Sequence, residues 1–342
     1  MNAENNIAFK KRFCKDQNLP IRVFEYPYFG DRLVLMDAFA LWNSFCWMIK
    51  EDFHDNPEEY FAAYDKAQDA IITKIRDSLT FQTMNTSCFV TNDTMKVGQR
   101  EVYKEPNIGK EFISIDMSKA NFSALVHFGI KYACPFYCNY DYSGFIKDGL
   151  KDFSFSDRFI ENFANSKYLR QVIFGKCNSK KQVQYEKMLM VGLLNELLAK
   201  GLIMEGDIYS INSDEIILHG GCCDSIFENL VKEVQDWSKE NVPLKIEKYT
   251  LAKIDGTQAY LKCHEAIPLI EQAKGMIPKC VNSLDAPFVY RLLRGEDFRE
   301  EDKVFFHEGK LAKFMEFPFL TIRDKSEEKR DNKEKEEDDY EI

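Results

Sequence analysis

The chain lacks any uninterrupted apolar run of the ~20 residues that a membrane-spanning helix requires. Its longest apolar stretches, such as Met188 to Leu198, are interrupted by Asn195 and Glu196, so no membrane partner is expected. No secretory signal peptide is recognisable. Neither G-x-x-x-x-G-K-[ST] nor G-x-G-x-x-G occurs, which removes the P-loop and dinucleotide fingerprints. Histidine is scarce, and His127, His219 and His264 lie too far apart in sequence to suggest a Ser/His/Asp or Cys/His arrangement. No internal repeat is present. The ten cysteines follow no regular spacing from Cys14 to Cys280, so reduced thiols and a cytoplasmic location are expected. A zinc site from Cys134 and Cys138 with Cys222 and Cys223 lacks knuckle spacing, and buried thiols are the commoner explanation of such residues.

What the sequence has is core material: 342 residues, 45% hydrophobic and 14% aromatic, enough for two modest domains. The formal charge of −10 is uneven. Asp324 to Ile342 carries ten acidic and five basic residues, a composition that cannot bury a core and predicts a disordered tail. Ser166 to Lys187 is locally basic, with Lys167, Arg170, Lys176, Lys180, Lys181 and Lys187 against Glu186 alone. Such a stripe attracts phosphate backbones, although a solvated helix face gives the same count.

Residues 1–110 read as a mainly helical subdomain after a short extended start at Ile21 to Tyr28. Asp37 to Glu51 and Pro57 to Leu79 carry apolar residues three and four apart, and Pro57, Glu58 and Glu59 suit a helix start. Residues 111–265 read β, α, α, β, β, α, β, β. The elements are a strand at Phe112 to Ile115, a helix at Ser118 to Phe128, and a long helix at Lys180 to Lys200 closed by Gly201. Strands at Ile208 to Ile211 and Glu215 to His219 come next, then a helix at Ile226 to Asn241 and a hairpin around Asp255 and Gly256. Residues 266–323 read as a helical and apolar segment. The fold class is therefore α+β. The aromatic run from Tyr132 to Phe145 is read as a loop packed on the core in preference to a base-stacking platform.

Asp116 ends one predicted strand, and Asp214 and Glu215 lie at the turn of a predicted hairpin. Carboxylates gathered at strand ends resist joint ionisation without a cation, which is the chemistry of a divalent-metal site. Singly, each is equally an ordinary strand-end or turn residue. Their surroundings add a resemblance. SIDMSKANFSAL, Ser114 to Leu125, resembles the first acidic motif of the palm domain of template-directed polymerases. IYSINSDEIIL, Ile208 to Leu218, is similar to the later palm motif of reverse transcriptases and family B DNA polymerases. SKYLRQVIFGKCNSKKQ, Ser166 to Gln182, between them, resembles the motif that holds the incoming nucleotide. The three occur in the polymerase order.

The resemblance implies a palm-like antiparallel sheet with helices on one face, and nucleotidyl transfer with Mg²⁺ or Mn²⁺ held by Asp116 and Asp214, Glu215 standing beside them. It implies Arg170 and Lys176 on the triphosphate, Asn178 at the helix start and Asn121 near the sugar. Lys180 and Lys181 would meet the nucleic-acid backbone, and Lys253 and Lys262 the primer strand. A nucleoside triphosphate and a primer/template are the implied partners. The pattern departs from both families. Asn212 stands where family B enzymes carry an aspartate, and Asp214 with Glu215 replaces the paired aspartates of reverse transcriptases. NLPIRVFEYPYF and SKYLRQVIFGKCN also look like segments of proteins from large DNA phages and viruses, which implies a host cytoplasm. A non-catalytic nucleic-acid-binding protein with a degenerate palm, or a two-metal nuclease, are the competing readings.

Overall fold

The computed structural model describes residues 3–24, 29–89, 98–133, 135–177, 179–221, 223–264, 276–308 and 310–323. The chain opens with helices α1 (Ile7–Gln17), α2 (Phe29–Leu35), α3 (Phe39–Phe53), α4 (Pro57–Arg76) and α5 (Leu79–Thr86). Their limits follow local chemistry. Asn6 caps α1 by accepting from the Ala8 amide, and Asn56 caps α4 at the Glu58 and Glu59 amides with Pro57 in the first turn. Ile21–Phe24, expected to be extended, is instead a 3₁₀ turn in which the Val23 amide bonds back to the Pro20 carbonyl at 3.1 Å. Burial of Val23 and Phe24 overrides their strand preference. Residues 25–28 of that expected strand lie outside the described residues.

Next come β1 (Glu111–Met117), α6 (Ala120–Tyr132), α7 (Tyr142–Leu150), α8 (Asp157–Asn165), α9 (Lys167–Lys176) and α10 (Ser179–Ala199). Then follow β2 (Ile208–Ile211), β3 (Glu215–His219), α11 (Asp224–Glu240), β4 (Leu244–Asp255) and β5 (Tyr260–Cys263). α12 (Ala286–Arg294), β6 (Val304–His307), β7 (Lys310–Lys313) and β8 (Thr321–Arg323) complete the described chain. The expected helical character of 266–323 is thus limited, among the described residues, to α12 and short 3₁₀ turns. The phenylalanine-rich stretch forms the β6–β7 ribbon, and β8 joins the main sheet beside β4. Between β1 and β2 the chain makes five helices where two were expected, because the aromatic run supplies the buried Tyr142 and Phe145 of α7. The acidic tail, 324–342, lies outside the described residues.

The main sheet has the order β2-β3-β1-β4-β5 and is antiparallel throughout. From β1 to β4 the chain runs strand, helices, strand, strand, helix, strand, the order of split βαβ folds. Alternation along β1 sends Ile113, Ile115 and Met117 to one face. There they join a buried cluster that runs through α6, α10 and α11 and continues to Phe9, Phe45, Tyr60 and Ile71 of the first helices. Phe112, Ser114 and Asp116 point to the other face. Phe112 packs there with Val102, Ile108, Ile217, Tyr249 and Leu251. A third cluster joins the far end of β4, β5 and α12.

Two glycines are fixed by contact. At Gly220 a Cβ would lie 2.6 Å from Glu111 Cβ, where the end of β3 crosses the start of β1. At Gly256, φ is +83°, and a Cβ would lie 2.7 Å from the Phe319 carbonyl.

Candidate active site on the polar end of the sheet

The register of β1 against β3 places Asp116 directly opposite Glu215, and that of β1 against β4 places Asp116 opposite Lys245. The ladder continues one step further, because the Met117 amide donates to the Asp214 carbonyl at 2.8 Å. Asp214 is thereby held at the turn that joins β2 to β3, where the Asn212 amide donates to the Glu215 carbonyl at 2.8 Å. The sequence-predicted acidic residues are therefore brought together, and Glu215 is the one that lies side by side with Asp116.

Behind Asp116 the chain turns sharply into α6. Lys119, the residue before the helix, has φ 51° and ψ 48°, a left-handed conformation that costs a lysine about 1 kcal/mol or more. The turn is held by the Ser118 amide on the Pro243 carbonyl at 2.9 Å and by Ser123 Oγ donating to the Ser118 carbonyl at 2.6 Å. This strained junction fixes where the end of β1 stands relative to α6. Asn121, in the first turn of α6, is half-buried.

One row further from the strand end, Ser114 Oγ donates to Glu215 Oε1 at 2.7 Å. Glu247 of β4 lies opposite Ser114. Its carboxylate accepts from Lys245 at 2.7 Å and from Lys262 of β5 at 2.5 Å, and Lys262 also lies 4.3 Å from the centroid of the Tyr249 ring. The polar end of this face therefore carries Asp116, Glu215, Lys245 and Glu247 within two rows of residues, and the Lys262 side chain reaches Glu247 from a position opposite Leu251.

The electrostatics follow from that crowding. Partial burial, then Glu215 and Asp214, push the Asp116 carboxyl up to about 6 against the pull of Lys262. Burial also acts on Glu247, but its two lysine hydrogen bonds outweigh it and hold that carboxyl down at about 2. Glu186, on the second turn of α10, is 2% exposed, and burial with the charge of Asp214 raises it to about 7. Among the described residues its Oε1 has no hydrogen-bond partner, nor do either of the amide atoms of Gln182 one turn earlier or Asn212 Oδ1 at the hairpin.

The remaining predicted residues are dispersed. Arg170 lies 5.6 Å from the Tyr142 ring centroid, and burial lowers its guanidinium. Lys176 donates to Gln68 of α4, and Lys181 donates to the Ser87 carbonyl at 2.6 Å. The basic stripe is therefore not one free surface: Lys176 and Lys181 are engaged by α4 and by the end of α5. Lys180 is exposed. Lys253 is ion-paired with Glu105, away from Asp116, whereas Lys262 stands on the carboxylate face. Asn178 lies outside the described residues. Cys138 and Cys223 are exposed free thiols, contrary to the expectation of burial, and Cys134 and Cys222 lie outside the described residues.

Sequence reasoning passed over Glu247, Lys245, Ser114 and Glu186. Alternation along β4, which carries Lys245, Glu247 and Tyr249 on one face, was the available signal for the first two. Glu186 had none, since a single glutamate in a basic amphipathic helix reads as surface.

Asp116, Asp214 and Glu215 are hard oxygen donors of the kind that suit Mg²⁺ or Mn²⁺. Among the described residues, no three His, Cys, Asp or Glu side chains already stand in a metal-holding group. No described helix is long and apolar enough to cross a membrane. Compared with known proteins, the chain matches no family model, no curated protein and no solved structure.

Proposed function

We propose that the chain is a metal-dependent nucleotidyltransferase with a polymerase-palm-like core, acting on a nucleic-acid primer and a nucleoside triphosphate. The observation that carries this reading is the pairing of Asp116 with Glu215 across adjacent central strands, with Asp214 tied by its carbonyl to the next residue of β1. The strand order and the strained turn after Asp116 support it, since they fix the acidic residues together at one end of the central strands.

Asp116 and Asp214, with Glu215 adjacent, supply the donors for Mg²⁺ or Mn²⁺, which when bound lowers the pKa of a 3′-hydroxyl and offsets charge on a departing pyrophosphate. Ser114 orients Glu215 by donating to it. Lys245 and Lys262 neutralise Glu247, which limits the negative charge beside Asp116. Exposed Lys167 and Lys180 are members of the basic stripe that can meet a phosphate backbone.

Primer extension by the purified chain with Mg²⁺ or Mn²⁺ and each nucleotide set tests the proposal. Extension is expected, with a loss of about a hundredfold or more in Asp116→Ala and Asp214→Ala. No extension by folded protein would abandon nucleotidyl transfer in favour of a non-catalytic nucleic-acid-binding role. One observation favours that second reading: Asn212, not an acidic residue, stands at the hairpin, and its Oδ1 has no partner among the described residues.

A further inference from the structure

A cavity of about 860 Å³ lies far from the carboxylate face in sequence, between α1, the start of α9 and the segment that leads into α12. It has the size of a small-ligand site. Lys11, Lys15 and Lys279 line it, together with Tyr168 and Tyr290, and among the described residues no aspartate or glutamate does. In a chain of net charge −10, this is a local reversal of sign.

None of the three lysines forms an ion pair among the described residues. Lys11 and Lys15 stand four apart on α1, a spacing at which like charges destabilise a helix by a few tenths of a kcal/mol. Asp16 is the adjacent carboxylate, and it is committed elsewhere. It is buried, accepts from Arg12 at 2.8 and 2.5 Å, and accepts from Ser166 at 2.6 Å. The walls between the charges are mainly apolar or aromatic, with Asn18 and Ser283 among them. Tyr168 lies 5.6 Å from the Lys15 ammonium, and Ile277 is 73% exposed beside Lys279.

A cluster of unpaired ammonium groups around an apolar and aromatic floor fits a ligand with an anionic end and a flat apolar body. We infer that this cavity binds a nucleoside phosphate, either free or as one unit of a single strand, through Lys11, Lys15 and Lys279 with its base against the tyrosine-lined wall. The inference does not rest on the carboxylate site, and because the anchors are ammonium groups, binding needs no divalent metal.

The test uses the full chain in EDTA, titrated by fluorescence with an N-methylanthraniloyl derivative of ATP and, separately, with a 5′-labelled ten-nucleotide single strand. Saturable binding of one or both probes is expected, and the tighter of the two identifies the source. Lys11→Glu with Lys15→Glu is expected to weaken it about tenfold or more, as is Lys279→Glu, because each removes a charge-assisted contact. Asp116→Ala, with its fold checked by circular dichroism, should bind as the parent does. No saturable binding of either probe to folded protein, or binding equally tight in both lysine variants, would overturn the inference. So would loss of binding in Asp116→Ala, which would place the probe on the sheet.

Discussion

The two faces of β1 differ by one residue of register and by nearly everything else. Ile113, Ile115 and Met117 meet helices and vanish into the largest buried cluster, whereas Ser114 and Asp116, their immediate neighbours, meet carboxylates and lysines of β3, β4 and β5. The helix-covered face holds the sheet in place. The other face is buried around Phe112, but its Asp116 end carries charge that a structure optimised only for stability would not gather. A strand can thus serve as scaffold and site at once, because its side chains alternate.

The largest expected effect that would break this contrast is on activity. Asp116→Asn should remove about a hundredfold or more of nucleotidyl transfer in primer extension while leaving the melting temperature unchanged or higher, since it relieves repulsion from Glu215 and Asp214. A variant that loses activity and melts much earlier would show Asp116 to be structural. Ile115→Ala, one residue away, should do the reverse. It opens a cavity in the core and should cost about 2–5 kcal/mol in urea unfolding, while the protein that remains folded keeps its activity.

Glu186 sharpens the comparison from the buried side. Its folded-state value, about 7, lies above its ordinary one, so between roughly pH 4.5 and 7 the folded chain holds a proton that the unfolded chain has released. Stability should therefore fall as pH rises through that window. Glu186→Gln should flatten the profile and raise stability above pH 7 by roughly 1–3 kcal/mol. Equal slopes for parent and variant in unfolding from pH 5 to 8 would exclude it.

Activity should move the opposite way: with Asp116 raised to about 6, metal-dependent extension should increase as pH rises through that value and its carboxyl ionises. A flat profile from pH 5 to 7.5 would separate Asp116 from the chemistry. The smallest effect expected is that of Ser114→Ala, about 1 kcal/mol in stability from its hydrogen bond to Glu215, with a shift in the metal concentration that supports half-maximal extension.

Much of the fold was legible because its signals are local. Asn56, Pro57 and the two glutamates set the start of α4, and the strands Ile208–Ile211 and Glu215–His219 fall where their β-branched runs place them. The failures came where packing decided. Ile21–Phe24 turned because Val23 and Phe24 had a hydrophobic seat to fill. Arg170, Lys176 and Lys181 looked like one basic stripe, yet neighbouring helices offered them Tyr142, Gln68 and the Ser87 carbonyl. Within the candidate site, Asp116, Asp214 and Glu215 were visible in sequence, but Glu247 and Glu186 were not, since their relation to Asp116 and Asp214 crosses strands and helices far apart in the chain.

By itself the sequence determined the α+β class, the succession of strands β1 to β5 along the chain and the placing of acidic residues at a strand end and a hairpin turn. These follow from periodicity, capping and turn chemistry, which act over a few residues. Only the tertiary structure decided that Glu215 stands across from Asp116, that Lys245 and Lys262 neutralise Glu247, and that three lysines from two distant segments share a cavity. Strand register, burial and charge proximity are set by which surfaces pack together, and that depends on the whole core.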